Sequence, residues 1–294
     1  MEVTVLKKPR VDYRIRLRFI QRIIGYTFLS FVALLAMMPL LWLFDASFRP
    51  KVEIFNVPPA FFVTYFKSFS SYSLASFIKA INDWNAHVAL WNSVVVTVSG
   101  IILTLLVCSL CSFAFALMRF PGRNTIFMAV LVQMMLPTGT MVVAAYLILL
   151  KLHLTNTLAG IILPYAGSAY GVFLMRQYFI RLPFSFLEAA IVDGAGYIRV
   201  WWQIVVPLAK PALAALGILQ FRTIWNDFLM PMIVLHDDTL HTLTIKLQVM
   251  QSINFNVPYD AIMATGFITV LVPVIFFLFF QRQFIEGLAG GIKG

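Results

Sequence analysis

At 294 residues the chain is long enough for one or two soluble domains, but its composition excludes that reading. Apolar residues make up 61% and charged residues 12%, against roughly a quarter charged in an ordinary soluble domain, and a soluble fold of this size cannot hide so many apolar side chains. A bilayer core about 30 Å thick takes them up instead, in spans of about 20 residues. The net charge of +10 does not point to nucleic acid, because the basic residues sit at the ends of apolar runs rather than over a soluble surface.

In chain order, residues 1–23 are a basic segment carrying Lys7, Lys8, Arg10, Arg14, Arg16, Arg18 and Arg22. The first apolar run, 24–48, is too long for a secretory h-region and has no small-residue cleavage site. Further runs at 88–117, 125–150, 157–180, 211–236 and 261–281 predict an all-α, polytopic membrane protein of six transmembrane helices over 24–281. The intervening loops are 49–87, 118–124, 151–156, 181–210 and 237–260, and a glycine-rich tail, 282–294, is expected to be loosely held. Fifteen Lys and Arg fall on the side of the two termini and six on the other. The positive-inside rule therefore predicts cytoplasmic termini and external loops at 49–87, 151–156 and 237–260.

Pro39, Pro137, Pro164, Pro231 and Pro273 lie within spans, where each can kink a helix or simply be accommodated by its neighbours. Cys108 and Cys111 form a lone C-x-x-C in an apolar run, which cannot complete a zinc site and reads as two buried thiols. The four histidines show no metal-binding pair, so no metal is expected.

The loop 181–210 is the most informative stretch. Ser185-x-x-Glu188 reads as a capping box opening a short helix, Gly194 and Gly196 end or bend it, and a second apolar helix leads to Pro207 and Pro211 at the next span. Ala189, Ala190 and Ala195 keep part of this surface small. One carboxylate on a small-residue ridge suits docking of another protein better than catalysis.

Glu188-Ala189-Ala190, Gly194, Ile204 and Pro207 resemble the EAA loop of ABC importer permeases, departing from it only at Val206, where leucine is usual. Asp193-Gly194-Ala195 is similar to the sugar branch. Arg119-Phe120-Pro121-Gly122-Arg123, Trp225-Asn226-Asp227-Phe228 and Phe284-x-Glu286-Gly287-Leu288 resemble the smaller permease subunit of maltose-type importers. The resemblance implies a type I importer permease fold in a bacterial cytoplasmic (inner) membrane, forming half of a sugar pathway. It implies Glu188, Ala189, Ala190, Asp193, Gly194 and Ala195 as the coupling surface for a cytoplasmic ATPase dimer. The other implied partners are a second homologous permease, a periplasmic or extracellular substrate-binding protein and the surrounding lipid. ATP and Mg would be held by the ATPase, and this chain, which has no phosphate-binding loop of its own, is expected to be no enzyme and to hold no cofactor.

Charged and amide side chains inside spans are costly, so they face a bundle interior or a cavity. Gln133, Arg222, Trp225, Asn226 and Asp227 are candidates for the translocation path, with Asn92 a further polar group, and the competing reading is that each glues helices together. The rival functional class is an ATP-independent secondary transporter or channel, which would leave the 181–210 loop unexplained. Within the importer reading, a sugar alcohol, acidic oligosaccharide or glycerol phosphate stands beside a neutral sugar as substrate.

Overall fold

The computed structural model describes residues 13–55, 72–253 and 255–290, and every regular element among them is helical. α1 (Tyr13–Ser47) is followed by the short α2 (Lys51–Ile54) and α3 (Ala75–Asn82) and by the long α4 (Ala86–Leu117). Next come α5 (Arg123–Val132), α6 (Thr138–Lys151), α7 (Leu158–Ile162) and α8 (Ala169–Phe179). The segment before the fifth span holds α9 (Phe184–Val192), α10 (Tyr197–Val200) and α11 (Val206–Leu208). α12 (Lys210–Trp225), α13 (Leu229–Val234), α14 (Leu243–Gln251) and α15 (Tyr259–Gly290) complete the described chain.

Phe19–Ser47, Ala86–Leu117, Leu158–Phe179 and Tyr259–Gln281 are each long and apolar enough to cross a membrane. Two bent pairs bring the number to six: Arg123–Met135 with Gly139–Lys151 at 113°, and Tyr197–Leu208 with Lys210–Trp225 at 80°. The third run, expected as one helix over 125–150, is thus an elbow. Leu136 and Pro137 are both extended (ψ 135° and 132°), and Pro137, which has no amide to give to a preceding turn, opens α6. The fifth run is also interrupted, between Trp225 and Leu229, where Asp227 Oδ1 accepts the amides of Leu229 and Met230 at 3.1 and 3.4 Å. By contrast Pro39 and Pro273 lie inside unbroken α1 and α15.

Two segment ends differ from expectation. α1 starts at Tyr13, well inside the basic segment, and α15 continues to Gly290 through most of the tail that glycine content had suggested would be loose. Residues 291–294 lie outside the described chain. Cys108 is fully buried and Cys111 half-buried, both as free thiols on α4.

The bundle is seamed along α4. Thr104 Oγ1 donates to the carbonyls of Gly100 and Tyr165 at 2.7 and 2.8 Å, and Ser112 Oγ donates to the Val172 carbonyl at 2.8 Å. In lipid such bonds contribute only about 0.6 kcal/mol each on average, so close packing has to carry more of the association. It does so at Gly171, where an added Cβ would sit 2.7 Å from Cys108 Sγ. At one end of the bundle Phe113, Met175, Phe179, Val200, Val205 and Leu216 form a buried cluster; at the other, Leu149, Ile161, Val234 and Ile245 do.

α1 stands apart. Asp45, Ala46 and Ser47 at its end are buried, and Phe44 meets Phe267 with ring centroids 5.5 Å apart. From Phe19 to Leu41, however, apolar side chains on all sides of the helix are exposed, among them Phe19, Ile23, Phe28, Phe31 and Leu35. At the opposite end of the span the connections are tied down. Asn156, itself in the left-handed region at φ 57°, accepts the amides of His236 and Asp237 at 3.0 and 2.9 Å. Lys79 pairs with Asp260 at 3.0 Å.

Candidate functional site: an exposed loop and an intramembrane cavity

The 181–210 segment folds as two limbs of different character. α9 opens at Pro183, whose extended backbone (φ −62°, ψ 116°) occupies the N-cap position with no side chain closing the first turn. The expected capping box is therefore not formed: proline fixes the chain entry two residues ahead of Ser185 and places the serine inside the helix, where its hydroxyl cannot cap. Glu188 is exposed and makes no hydrogen bond or ion pair to another described residue.

The C-terminus of α9 is closed by main chain alone. The amide of Ala195 donates to the Ala190 carbonyl at 2.9 Å and that of Gly194 to the Ile191 carbonyl at 3.0 Å, with Gly194 at φ +81°. This is the Schellman arrangement, which needs a residue in the left-handed region at Gly194. The spacing of Ala190 and Gly194 in the motif is thus a backbone requirement, apart from any contact with a partner.

The second limb is the anchor. Val200, Trp201, Val205 and Ala209 are buried, Trp201 to Val205 wind as a π-helical turn, and Ala190 and Ala195 pack against the same cluster. The outer face stays open: Val192 is 86% exposed, Ile198 69% and Trp202 62%, and Glu188, Ala189, Asp193 and Gly194 are exposed as well. The loop is held by its own bundle on one side and offers on the other an apolar ridge with two exposed carboxylates, Glu188 and Asp193.

A cavity of about 900 Å³ opens where three breaks in the helices meet. Gln133 reaches it from the elbow of the third span, Tyr165, Ser168 and Tyr170 from the break between α7 and α8, and Gln220, Arg222, Thr223 and Asn226 from the end of α12. Gln133 Nε2 donates to the Gly167 carbonyl at 3.2 Å, and Gln220 Nε2 to Ser168 Oγ at 3.1 Å, while Ser168 Oγ also accepts the Gly171 amide at 3.0 Å as the N-cap of α8. Asn226 Nδ2 donates to the Arg222 carbonyl at 2.8 Å. Apart from Arg222 the lining is neutral, made of amides, hydroxyls, phenols and apolar groups.

Of the five sequence candidates for the path, Gln133, Arg222 and Asn226 line this cavity and two do not. Trp225 is buried, stacks on Phe221 at 5.8 Å and donates from Nε1 to the Thr269 carbonyl at 3.1 Å. Asp227 accepts the Tyr165 hydroxyl at Oδ2 (2.6 Å) while Oδ1 serves the amides of α13. Asn92 is a tie as well, with Nδ2 on the carbonyls of Thr239 and His241 at 2.8 and 3.1 Å. Tyr165, Ser168, Tyr170 and Gln220 were not singled out from sequence. The signal that could have found three of them is the polar, small-residue run Pro164 to Tyr170 in the middle of an apolar span. Among the described residues no group of three or more His, Cys, Asp or Glu converges to hold a metal ion.

Comparison with known proteins adds an independent line. Residues 108–289 match the family described as binding-protein-dependent transport system inner membrane component. The arabinooligosaccharides transport system permease protein AraQ of Halalkalibacterium halodurans is 36% identical over 273 residues, covering 92% of this chain and 95% of that protein. The sn-glycerol-3-phosphate transport system permease protein UgpE of Rhizobium meliloti is 30% identical over 274 residues, 92% of this chain and 97% of that one. In three dimensions the chain resembles, with a TM-score of 0.78 and 23% identity over 91% of its length and 97% of the other's, a chain of a bacterial ABC transporter involved in the import of the acidic polysaccharide alginate.

Proposed function

The chain belongs to the family of binding-protein-dependent transport system inner membrane components, a transport subunit rather than an enzyme, and we propose that it forms one half of a sugar or oligosaccharide pathway driven by a separate ATPase. Membership in that family favours the importer reading over an ATP-independent carrier. The exposed ridge of α9 carries the coupling reading: a short helix on a rigid second limb, with no side-chain cap at its N-terminus, Glu188 making no bond to another described residue, and apolar side chains turned outward. Such a surface fits a cleft in a partner that moves during a nucleotide cycle. Glu188, Ala189, Ala190, Asp193, Gly194 and Ala195 would meet the ATPase, which would bind ATP and Mg.

The exposed flank of α1 supports a second permease subunit. A helix whose apolar side chains are exposed from Phe19 onward and whose buried residues lie in its last turn is built to lie on another protein as readily as on lipid. The excess of basic residues on the side of the termini favours cytoplasmic ends and a coupling segment on the same side. The family's description as an inner membrane component supports a bacterial inner membrane as its place, and a periplasmic or extracellular binding protein would deliver substrate to the loops at the opposite face. Sugar as cargo is supported by relatives such as AraQ, named for arabinooligosaccharides, and by the polar, phenol-bearing cavity.

The test is expression with its neighbouring permease, ATPase and binding protein, followed by purification and reconstitution in liposomes. A stable complex whose ATP hydrolysis rises with binding protein and sugar is expected. A chain that purifies alone and transports without ATP would overturn the reading.

A further inference from the structure

Arg222 lies near the middle of the fifth hydrophobic run, 211–236, and faces the cavity as an exposed side chain. Among the described residues no carboxylate lies within ion-pair distance of it. The nearest acidic residue in sequence, Asp227, is not among the residues that line the cavity and is already engaged by the Tyr165 hydroxyl and two amides of α13. No acidic residue is among the described residues that line the cavity. A guanidinium within a membrane is expensive unless something compensates it, and here the chain supplies only neutral groups around it. Tying α12 to a neighbouring helix, the structural alternative for such a residue, would leave an ion pair or a side-chain hydrogen bond, and the Arg222 guanidinium makes neither with a described residue.

We propose that the transported substrate carries an anionic group, a carboxylate or a phosphate ester, and that Arg222 receives it while Gln133, Thr223 and Asn226 meet its hydroxyls. The planar guanidinium fork matches the two oxygens of a carboxylate or phosphate with two parallel hydrogen bonds, which a neutral sugar hydroxyl cannot offer. The inference rests on the reading of this cavity as the substrate path.

The complete complex, reconstituted with its ATPase, second permease and binding protein, is assayed for uptake of digalacturonate, glycerol 3-phosphate, maltose and arabinobiose. Uptake of digalacturonate or of glycerol 3-phosphate is expected, the one that works identifying carboxylate or phosphate, with the neutral disaccharides carried at least tenfold less well. Arg222→Gln is expected to raise the half-saturating concentration of the anionic substrate about tenfold or more, the scale of a lost charged hydrogen bond, and Arg222→Lys to lose less. Uptake of a neutral disaccharide, equal in wild type and Arg222→Gln, overturns the anionic inference and leaves the importer reading standing. Loss of the second permease on purification of Arg222→Gln places the guanidinium in the subunit contact and overturns it too. A complex that assembles but carries none of the four, nor hydrolyses ATP in response to any, counts against the sugar-path reading itself.

Discussion

Ala195 donates its amide to the carbonyl of Ala190 at 2.9 Å, around a glycine held at φ +81°. That bond fixes where the exposed helix stops and therefore where its acidic ridge points. Any residue with a Cβ at position 194 is strained there by about 1–2 kcal/mol, although an added Cβ would meet no atom within 4 Å. Gly194→Val should therefore insert in the membrane and assemble normally, yet lose most substrate-stimulated ATP hydrolysis, while Gly194→Asn keeps more of it because asparagine tolerates the left-handed region. Equal activity of the two variants would detach the backbone requirement from coupling.

Glu188 is free of intrachain bonds to described residues, so its replacement tests the partner contact without touching the fold. Glu188→Gln is expected to leave the melting temperature of the solubilised complex unchanged and to weaken retention of the ATPase by severalfold, more at low salt than at high salt, since exposed charge contacts are screened. A melting shift with full ATPase retention would return the glutamate to a structural role.

Legibility differed along the chain for physical reasons. Six apolar runs and the glycine stop after α9 were readable because hydropathy and left-handed backbone are local properties of residues such as Gly194. The capping box was misread because Ser185 and Glu188 have the right spacing, but Pro183 occupies the cap first. The elbow at Pro137 was invisible to hydropathy, which registers apolar content and not direction; Pro39 and Pro273 look the same in sequence and leave their helices unbroken. The cavity was half legible. Arg222 and Asn226 stand out as polar groups in a span, whereas Tyr165 and Gln220 matter only because α7, α8 and α12 break at the same depth.

The hydroxyl of Tyr165 and Oδ2 of Asp227 are 2.6 Å apart, linking the fourth span to the interruption of the fifth. A charge-assisted bond of this kind contributes about 1.5–3 kcal/mol. Tyr165→Phe and Asp227→Asn should each lower the melting temperature of the complex, and the double variant should lose less than their sum because both remove one interaction. Strict additivity in that cycle would mean that the two residues stabilise the bundle separately.

His241 sits among charged neighbours in the segment after the fifth span: its Nδ1 is 3.2 Å from Asp238 Oδ1, which also takes Lys246 Nζ at 2.6 Å. Burial of the ring lowers its affinity for a proton below the ordinary value of 6.5, the neighbouring Asp238 opposes that shift, Lys246 adds to it, and Asp237 opposes it more weakly. The folded protein thus keeps a neutral imidazole at a pH where the unfolded chain has already bound a proton. Stability should be independent of this residue above about pH 7 and should fall as the pH drops below 6.5, levelling off once the folded imidazole is itself protonated. Asp237, held below its usual range by the amide and hydroxyl of Thr239, adds a separate loss only in stronger acid, below its ordinary value of 3.8. Melting curves of the complex between pH 5 and pH 8 should show the first slope in wild type and a flatter profile in His241→Gln. An unchanged slope in that variant would assign the pH dependence to another group.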